Sequence, residues 1–267
     1  MDLLRRGKAP LAEEAWKLID EQAREVLGAN LSGRKFVDVS GPHGWEYAAV
    51  NLGRLEAGTV AAGEGVSYGI RKALPLVEVR VPFKLDLREL DAAGRGALDP
   101  DLDPLIDAAR KIAAFEERAI YYDFAPAGIL GMAAASSHQP VALGRDPRAF
   151  AEAVARAIVA LRKSGEQPSY ALVVGPALFE GLESEAGGGY PRRKQIASLI
   201  GGPILLSPVV ETAFLVPATS KDHFELTIGQ DLSIGYDFRD GNDVNLFLVE
   251  SFTFRVLEPQ AVVQFTV

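Results

Sequence analysis

Gly229-Gln230-Asp231-Leu232-Ser233-Ile234-Gly235-Tyr236-Asp237, followed by Asn245-Leu246-Phe247-Leu248-Val249-Glu250-Ser251-Phe252-Thr253-Phe254-Arg255-Val256, is the stretch that decides the fold class of this chain. Both runs are rich in β-branched and aromatic residues and bounded by Gly, Asp and Asn, which reads as strands joined by turns. Outward from them, 213–216, 224–228 and 261–266 carry the same signature, so the chain beyond 213 is almost all strand. Before it, short buried-strand patterns at Tyr170–Val174 and Ile204–Ser207 flank a Gly-rich middle.

The first half reads differently. Leu11, Ala15, Ile19, Ala23 and Val26 recur at helical spacing, predicting a helix over 11–27 that stops at Gly28. Residues 104–120 and 147–163 predict two more, each with a proline at its start. Between the first two helices, 50–85 reads as a long hairpin whose tip holds Gly58, Gly63 and Gly65. On its return side Val77, Val79 and Val81 alternate with Glu78 and Arg80. A hairpin with so few large apolar residues near its tip is poorly buried within its own subunit and makes sense as an arm laid on a neighbour. Helices and strands interleaved in this order describe an α+β protein.

Composition narrows the function. The chain has 267 residues, 48% hydrophobic and 24% charged, with no cysteine and a net charge of −8. No apolar run approaches the length of a spanning helix, and Arg5-Arg6-Gly7-Lys8 is not followed by a signal-type apolar segment, so a cytoplasmic protein with no membrane partner is expected. Nucleic-acid affinity comes largely from Lys and Arg neutralising phosphate, and the acidic balance opposes it. The two small basic clusters, at Arg5-Arg6 and Arg192-Arg193-Lys194, read as solvated surface or subunit contacts.

No catalytic or metal site is expected. The three histidines, His43, His138 and His223, fall in no metal-ligand spacing, and no Gly-x-Ser-x-Gly elbow marks a nucleophile. Asp99, Asp101 and Asp103 open like a calcium loop, but Pro104 and Arg110 stand where that loop needs Gly and Glu. Asp86, Glu89 and Asp91 surround Arg88 and read as an ion-paired face rather than an acid–base pair. Gly187-Gly188-Gly189 lacks the form of a phosphate cradle and reads as a surface loop.

Taken with Gly33-Arg34-Lys35-Phe36-Val37-Asp38-Val39, Gly41-Pro42-His43-Gly44-Trp45-Glu46-Tyr47 and Leu85-Asp86-Leu87-Arg88-Glu89-Leu90-Asp91, the opening stretch resembles the encapsulins, shell proteins of nanocompartments. The resemblance runs from Leu4 to Phe265. It implies an HK97 phage-capsid-like fold. The implied parts are an N-terminal helix and start of the peripheral domain (1–49), an extended hairpin arm (50–82), a peripheral domain with its spine helix (83–127), an axial domain (128–220) and returning peripheral strands (221–267). It implies self-assembly into an icosahedral cage, sixty subunits in the small family members, with no catalysis by the shell. Cargo enzyme is enclosed through a C-terminal targeting peptide, with a ferritin-like iron-oxidising protein or a dye-decolourising peroxidase as the implied cargo. The positions matching the family's cargo-peptide site are Leu27, Arg34, Asp38, Asp231, Leu232 and Ile234. Those matching the five-fold pore loop are Glu185, Gly187, Gly188, Gly189 and Tyr190. Some relatives stack a flavin on a Trp where this chain has Arg88, so no cofactor is expected. The alternatives are a phage major capsid protein enclosing DNA, or a hydrolase using His138 or His223.

Overall fold

A computed structural model describes residues 2–58, 68–143, 147–183, 191–219 and 222–266. Helix α1 (Glu13–Asn30) carries Glu13 and Glu14 in its first turn, where negative charge complements the helix dipole. It runs past Gly28, the expected stop, because the Leu31 amide still bonds to the Leu27 carbonyl and Leu31 is itself buried. Strand β1 (Asp38–Ser40) follows, then β2 (Ala49–Gly58), β3 (Tyr68–Pro75) and β4 (Val77–Asp86). Next come α2 (Leu87–Gly94), α3 (Asp103–Tyr121), the short pair β5 (Asp123–Phe124) and β6 (Ile129–Leu130), α4 (Met132–Ala135) and β7 (Val141–Ala142). The middle of the chain holds α5 (Pro147–Lys163), β8 (Tyr170–Val174), α6 (Pro176–Glu183), α7 (Arg192–Ile200) and β9 (Ile204–Leu206). The last five strands are β10 (Ala213–Pro217), β11 (Phe224–Ile228), β12 (Ser233–Asp240), β13 (Asp243–Val256) and β14 (Val263–Thr266).

The long β13 organises the first sheet. Along one edge it pairs antiparallel with β12 (Ser233↔Val249) and then with β11 (Phe224↔Val256); along the other it pairs with β4. Strand β1 completes the sheet, parallel to β11. Because side chains alternate across a strand, Leu246, Leu248 and Val81 share the face that packs on α1 and α3. Phe247 and Gly235 share the opposite face, where the Arg80 guanidinium lies 3.6 Å from the Phe247 ring centre.

The hairpin is shorter than the alternation at 77–81 suggested. Its ladder joins β2 to β3 from Ala49↔Pro75 to Gly58↔Tyr68, and the Leu76 amide closes it on the Ala48 carbonyl. Beyond Leu76 the chain leaves the arm, and β4 joins the sheet from Val77↔Phe252 to Asp86↔Asp243. The valine alternation is therefore that of a core sheet with one buried face. In the arm, Leu55 and Ile70 are 67% and 62% exposed, unburied within the subunit.

A second sheet runs β7-β14-β10-β8-β9, with α5 and α7 covering it. Strand β14, expected with the other late strands, instead pairs with β10 (Ala213↔Phe265) and β7. The η-turn at Pro259–Ala261 redirects the chain, and Phe265 then buries beside Phe150 rather than against α3.

Candidate functional site

The two halves of the opening stretch meet α1 at a cavity of about 470 Å³. Helix α1 contributes Ala23 and Leu27, one face at i and i+4, and Leu31 follows directly at its end. The sheet contributes Leu232, Ile234 and Leu248. Residues preceding α1 supply Leu4 and Arg6, and charges stand at the margin: Asp20, Arg24, Arg34 and Asp231. The volume lies within the ~300–1,000 Å³ typical of ligand sites, and an apolar wall with few polar groups is their usual chemistry.

Depth differs along that wall. Ile234 and Leu248 are 3% and 1% exposed and belong to the core that also holds Ile19, Leu105 and Ile112. They form the floor. Leu27 and Leu232 are half-buried and pack against that core from its rim, so they are the apolar groups an incoming chain would touch.

Arg34 sits in the tight turn Gly33–Lys35 directly after α1. Its Nε donates to both carboxylate oxygens of Glu116 at 2.9 and 3.0 Å, and its Nη1 donates to Asp231 Oδ1 at 2.8 Å. Nη2 reaches Glu250 Oε2 at 3.1 Å. One guanidinium thus ties α1's exit, α3, the loop before β12 and β13 together. Glu116 and Glu250 are fully buried, whereas Asp231 is half-exposed at the cavity. Burial alone would lower the Arg34 pKa, but the hydrogen bonds and charge of Glu116, foremost among its neighbours, outweigh it and hold Arg34 firmly charged.

A third buried acid lies one residue beyond Glu116. Glu117 accepts from the Ser32 hydroxyl, the Gly33 amide (2.7 Å) and the Ser207 hydroxyl (2.7 Å). Glycine leaves room here: a Cβ on Gly33 would lie 2.8 Å from Ile120 Cδ1 and 3.2 Å from Glu117 Oε1, so those side chains would have to shift. Burial raises the Glu117 pKa against these three donors.

Burial, and then the neighbouring Glu116, push Glu250 well above the ordinary carboxylate range. Its Oε1 has no hydrogen-bond partner among the described residues, where an anion is costly. A carboxyl whose folded pKa is raised holds its proton longer than the unfolded chain does, so stability falls as pH rises above the unfolded value of about 4.3. Replacing Glu250 with Gln removes that dependence. The thermal midpoint of Glu250→Gln relative to the unmodified protein is expected to climb as pH rises above the unfolded value of about 4.3. A difference that stays constant over that rise would contradict a protonated Glu250.

Of the six residues matched to a peptide site, Leu27, Arg34, Asp231, Leu232 and Ile234 line this one cavity. Asp38 does not. It stands on β1, whose pairing with β11 carries it away, and its Oδ2 accepts from the Asp222 amide at 2.9 Å. Glu185, Gly187, Gly188, Gly189 and Tyr190 lie outside the described residues. Arg88 pairs with Asp86 on the surface, Nε to Oδ2 at 3.0 Å.

The histidines are dispersed. His138 bonds the Gln260 carbonyl at 2.9 Å, His223 pairs with Glu166 at 3.1 Å, and His43 meets Ser40 at 3.0 Å on the surface. No cluster able to hold a metal ion occurs among the described residues, and no helix among them is long and apolar enough to cross a membrane.

Leu4, Arg6, Glu116 and Glu250 were not anticipated. Glu116 and Glu250 did leave a signal: Glu250 is an acid inside the apolar run Leu246–Phe254, and Glu116 falls four residues from both Ile112 and Ile120 on the apolar stripe of α3.

Residues 1–253 match the family model described as "Encapsulating protein for peroxidase". The type 1 encapsulin shell protein of Rhodospirillum rubrum is 43% identical over 269 residues, covering 98% of this chain and 96% of that protein. This chain belongs to the type 1 encapsulin family. Its fold has the matching kinship. The virus-like particle from Pyrococcus furiosus superposes with a TM-score of 0.64 at 14% identity, covering 96% of this chain and 100% of that one. The capsid of Myoviridae phage XM1 does so with a TM-score of 0.55 at 13% identity, covering 89% and 92%. The encapsulin fold here is thus the HK97-like, α+β fold of phage capsids, with the Arg34 clasp and the α1–β12 cavity built on it.

Proposed function

We propose that this encapsulin assembles into a closed icosahedral shell, of sixty subunits in its simplest form, and holds a cargo enzyme through a C-terminal targeting peptide docked in the α1–β12 cavity. The observation that carries the docking reading is the convergence of Leu27 and Arg34 with Asp231, Leu232 and Ile234, two segments far apart in sequence, on one apolar cavity with charged margins. An extended peptide suits such a site, since burial of alternate side chains supplies affinity and polar groups fix its direction. Many copies facing one lumen would add avidity for multimeric cargo.

The cargo is a peroxidase or a ferritin-like iron-storing protein, the former in keeping with the description of the matching family model. The shell itself is non-catalytic in this reading, and the dispersal of the histidines supports that. The ion-paired Arg88 supports a shell that stacks no flavin at this position. The exposed arm side chains Leu55 and Ile70 would be covered by a neighbouring subunit. The loop 185–190 would line the five-fold pore.

Negative-stain microscopy with mass spectrometry of the contents tests the reading. Uniform hollow particles containing a single enzyme species are expected. Small soluble oligomers, or particles filled with nucleic acid, would refute it.

A further inference from the structure

The groove's third wall comes from the residues ahead of α1. The Leu4 carbonyl accepts from the Tyr236 amide at 2.8 Å, tying the segment to the outer edge of β12. Arg6 Nη2 meets Asp20 Oδ2 at 2.7 Å, and its guanidinium lies 4.0 Å over the Trp16 ring, tying the segment to α1. Arg5 between them has a left-handed φ of 51°. Leu4 and Arg6 consequently line the 470 Å³ groove, while Leu3 and Arg5 line a separate cavity of about 240 Å³ with Trp45 and Phe247. On the far side of the Arg6–Asp20 pair, a charged hollow of about 490 Å³ runs along α1 through Glu13 and Lys17. With Arg24, the pair lines both the apolar groove and the polar hollow.

We infer that residues 4–6 are a specificity wall of the cargo groove, with Leu4 setting the size of the apolar side chain it accepts. The inference rests on the proposed peptide-docking role of the groove. The occupant is an extended cargo tail that places an apolar side chain among Leu4, Leu27 and Leu232. Leu4 is half-buried and apolar, and it faces the same space as Leu27 and Leu232, so its bulk subtracts directly from that space. Its three ties come from backbone, ion pair and ring, so the wall stands before anything binds. A preformed wall selects by size because widening it means breaking those ties, and it adds little ordering cost on binding.

The test uses assembled shells co-expressed with a fluorescent protein that ends in the C-terminal tail of whatever enzyme mass spectrometry finds in the unmodified shell. A second tail has its largest apolar residue trimmed to Ala, and a third has it enlarged to Phe. Leu4→Phe is expected to lower loading of the native tail about tenfold or more, with recovery by the trimmed tail. Leu4→Ala is expected to admit the enlarged tail that the unmodified shell rejects. Arg6→Ala, which removes the ion pair and the ring contact but keeps the Leu4–Tyr236 backbone bond and the floor, loosens the wall and is expected to weaken discrimination among the three tails. It serves alone if a Leu4 variant does not assemble. If these variants discriminate among the tails as the unmodified shell does, the wall is overturned. Leu232→Asp separates the two levels. Empty Leu232→Asp shells with unaltered Leu4 and Arg6 variants sink only the wall, whereas normally loaded Leu232→Asp shells sink the groove reading beneath it.

Discussion

Shells assembled from Leu232→Asp subunits are expected to reach the same diameter as unmodified shells and to hold at least about tenfold less enzyme. Leu232 is half-buried at the rim of the groove, so an aspartate there meets solvent in the empty subunit and folding tolerates it. A docked peptide would have to bury that charge against apolar side chains, and it would forfeit the leucine contact. Full burial of one leucine is worth about 1.5–3 kcal/mol, which already corresponds to roughly tenfold or more in affinity. Cargo that engages several subunits at once compounds the loss. The same substitution at Ile234 would be a poor probe. Ile234 is 3% exposed and packs with Ile19, Leu246 and Leu248, so Asp there attacks the subunit core before it touches binding. Diameter is read by microscopy and contents by quantitative mass spectrometry. Full loading of Leu232→Asp shells would contradict the groove's role.

The Arg34→Met subunit is expected to lose about 3–5 kcal/mol of stability, the usual result of removing one partner from a buried ion pair, here the one with Glu116. Glu116 and Glu250 are both inaccessible to solvent and both lean on this one guanidinium. Methionine fills similar space but leaves their carboxyl groups facing apolar neighbours, and Asp231 loses its tether as well. The double variant Arg34→Met with Glu250→Gln is expected to recover part of the loss, since residues in one network do not contribute additively. Urea midpoints of the isolated subunit, or of shells where the subunit does not persist alone, provide the measurement. A shift equivalent to less than about 1 kcal/mol would mean the clasp is no more than a surface ion pair.

Much of the framework was legible because period and burial agree. The i, i+4 stripe from Ala15 to Ala23 and the 14-residue β13 declare their elements without tertiary help. Strand β4 shows where that logic fails. Its alternation of valine with Glu78 and Arg80 correctly marks a half-buried strand, but alternation says nothing about the partner, and β13 wins it from the arm. Gly28 misleads for a related reason: a helix stops where packing stops, and Leu31 is still buried three residues later. Strand β14 is sequence-adjacent to β13 yet packs with β10, a choice made by the turn at Pro259–Ala261.

Site residues followed the same division. Leu232 and Ile234 could be placed because they sit in a distinctive block. Asp38, in an equally distinctive block, is directed elsewhere by the β1–β11 pairing. The acids that hold Arg34 were visible only as anomalies, charges where a core was expected. Leu4 and Arg6 left no signal at all. Their role depends on where residues 2–9 lie, and that is set by one backbone hydrogen bond to β12 and by the ion pair and ring contact of Arg6 with α1.

A cryo-electron microscopy reconstruction of enzyme-loaded shells addresses the central claim most directly. A closed icosahedral shell is expected, with an extended strip of extra density on its inner wall, bounded by Leu4, Leu27 and Leu232 and absent from Leu232→Asp shells. Ordered cargo density on another face of the subunit, with an empty groove between α1 and β12, would contradict it.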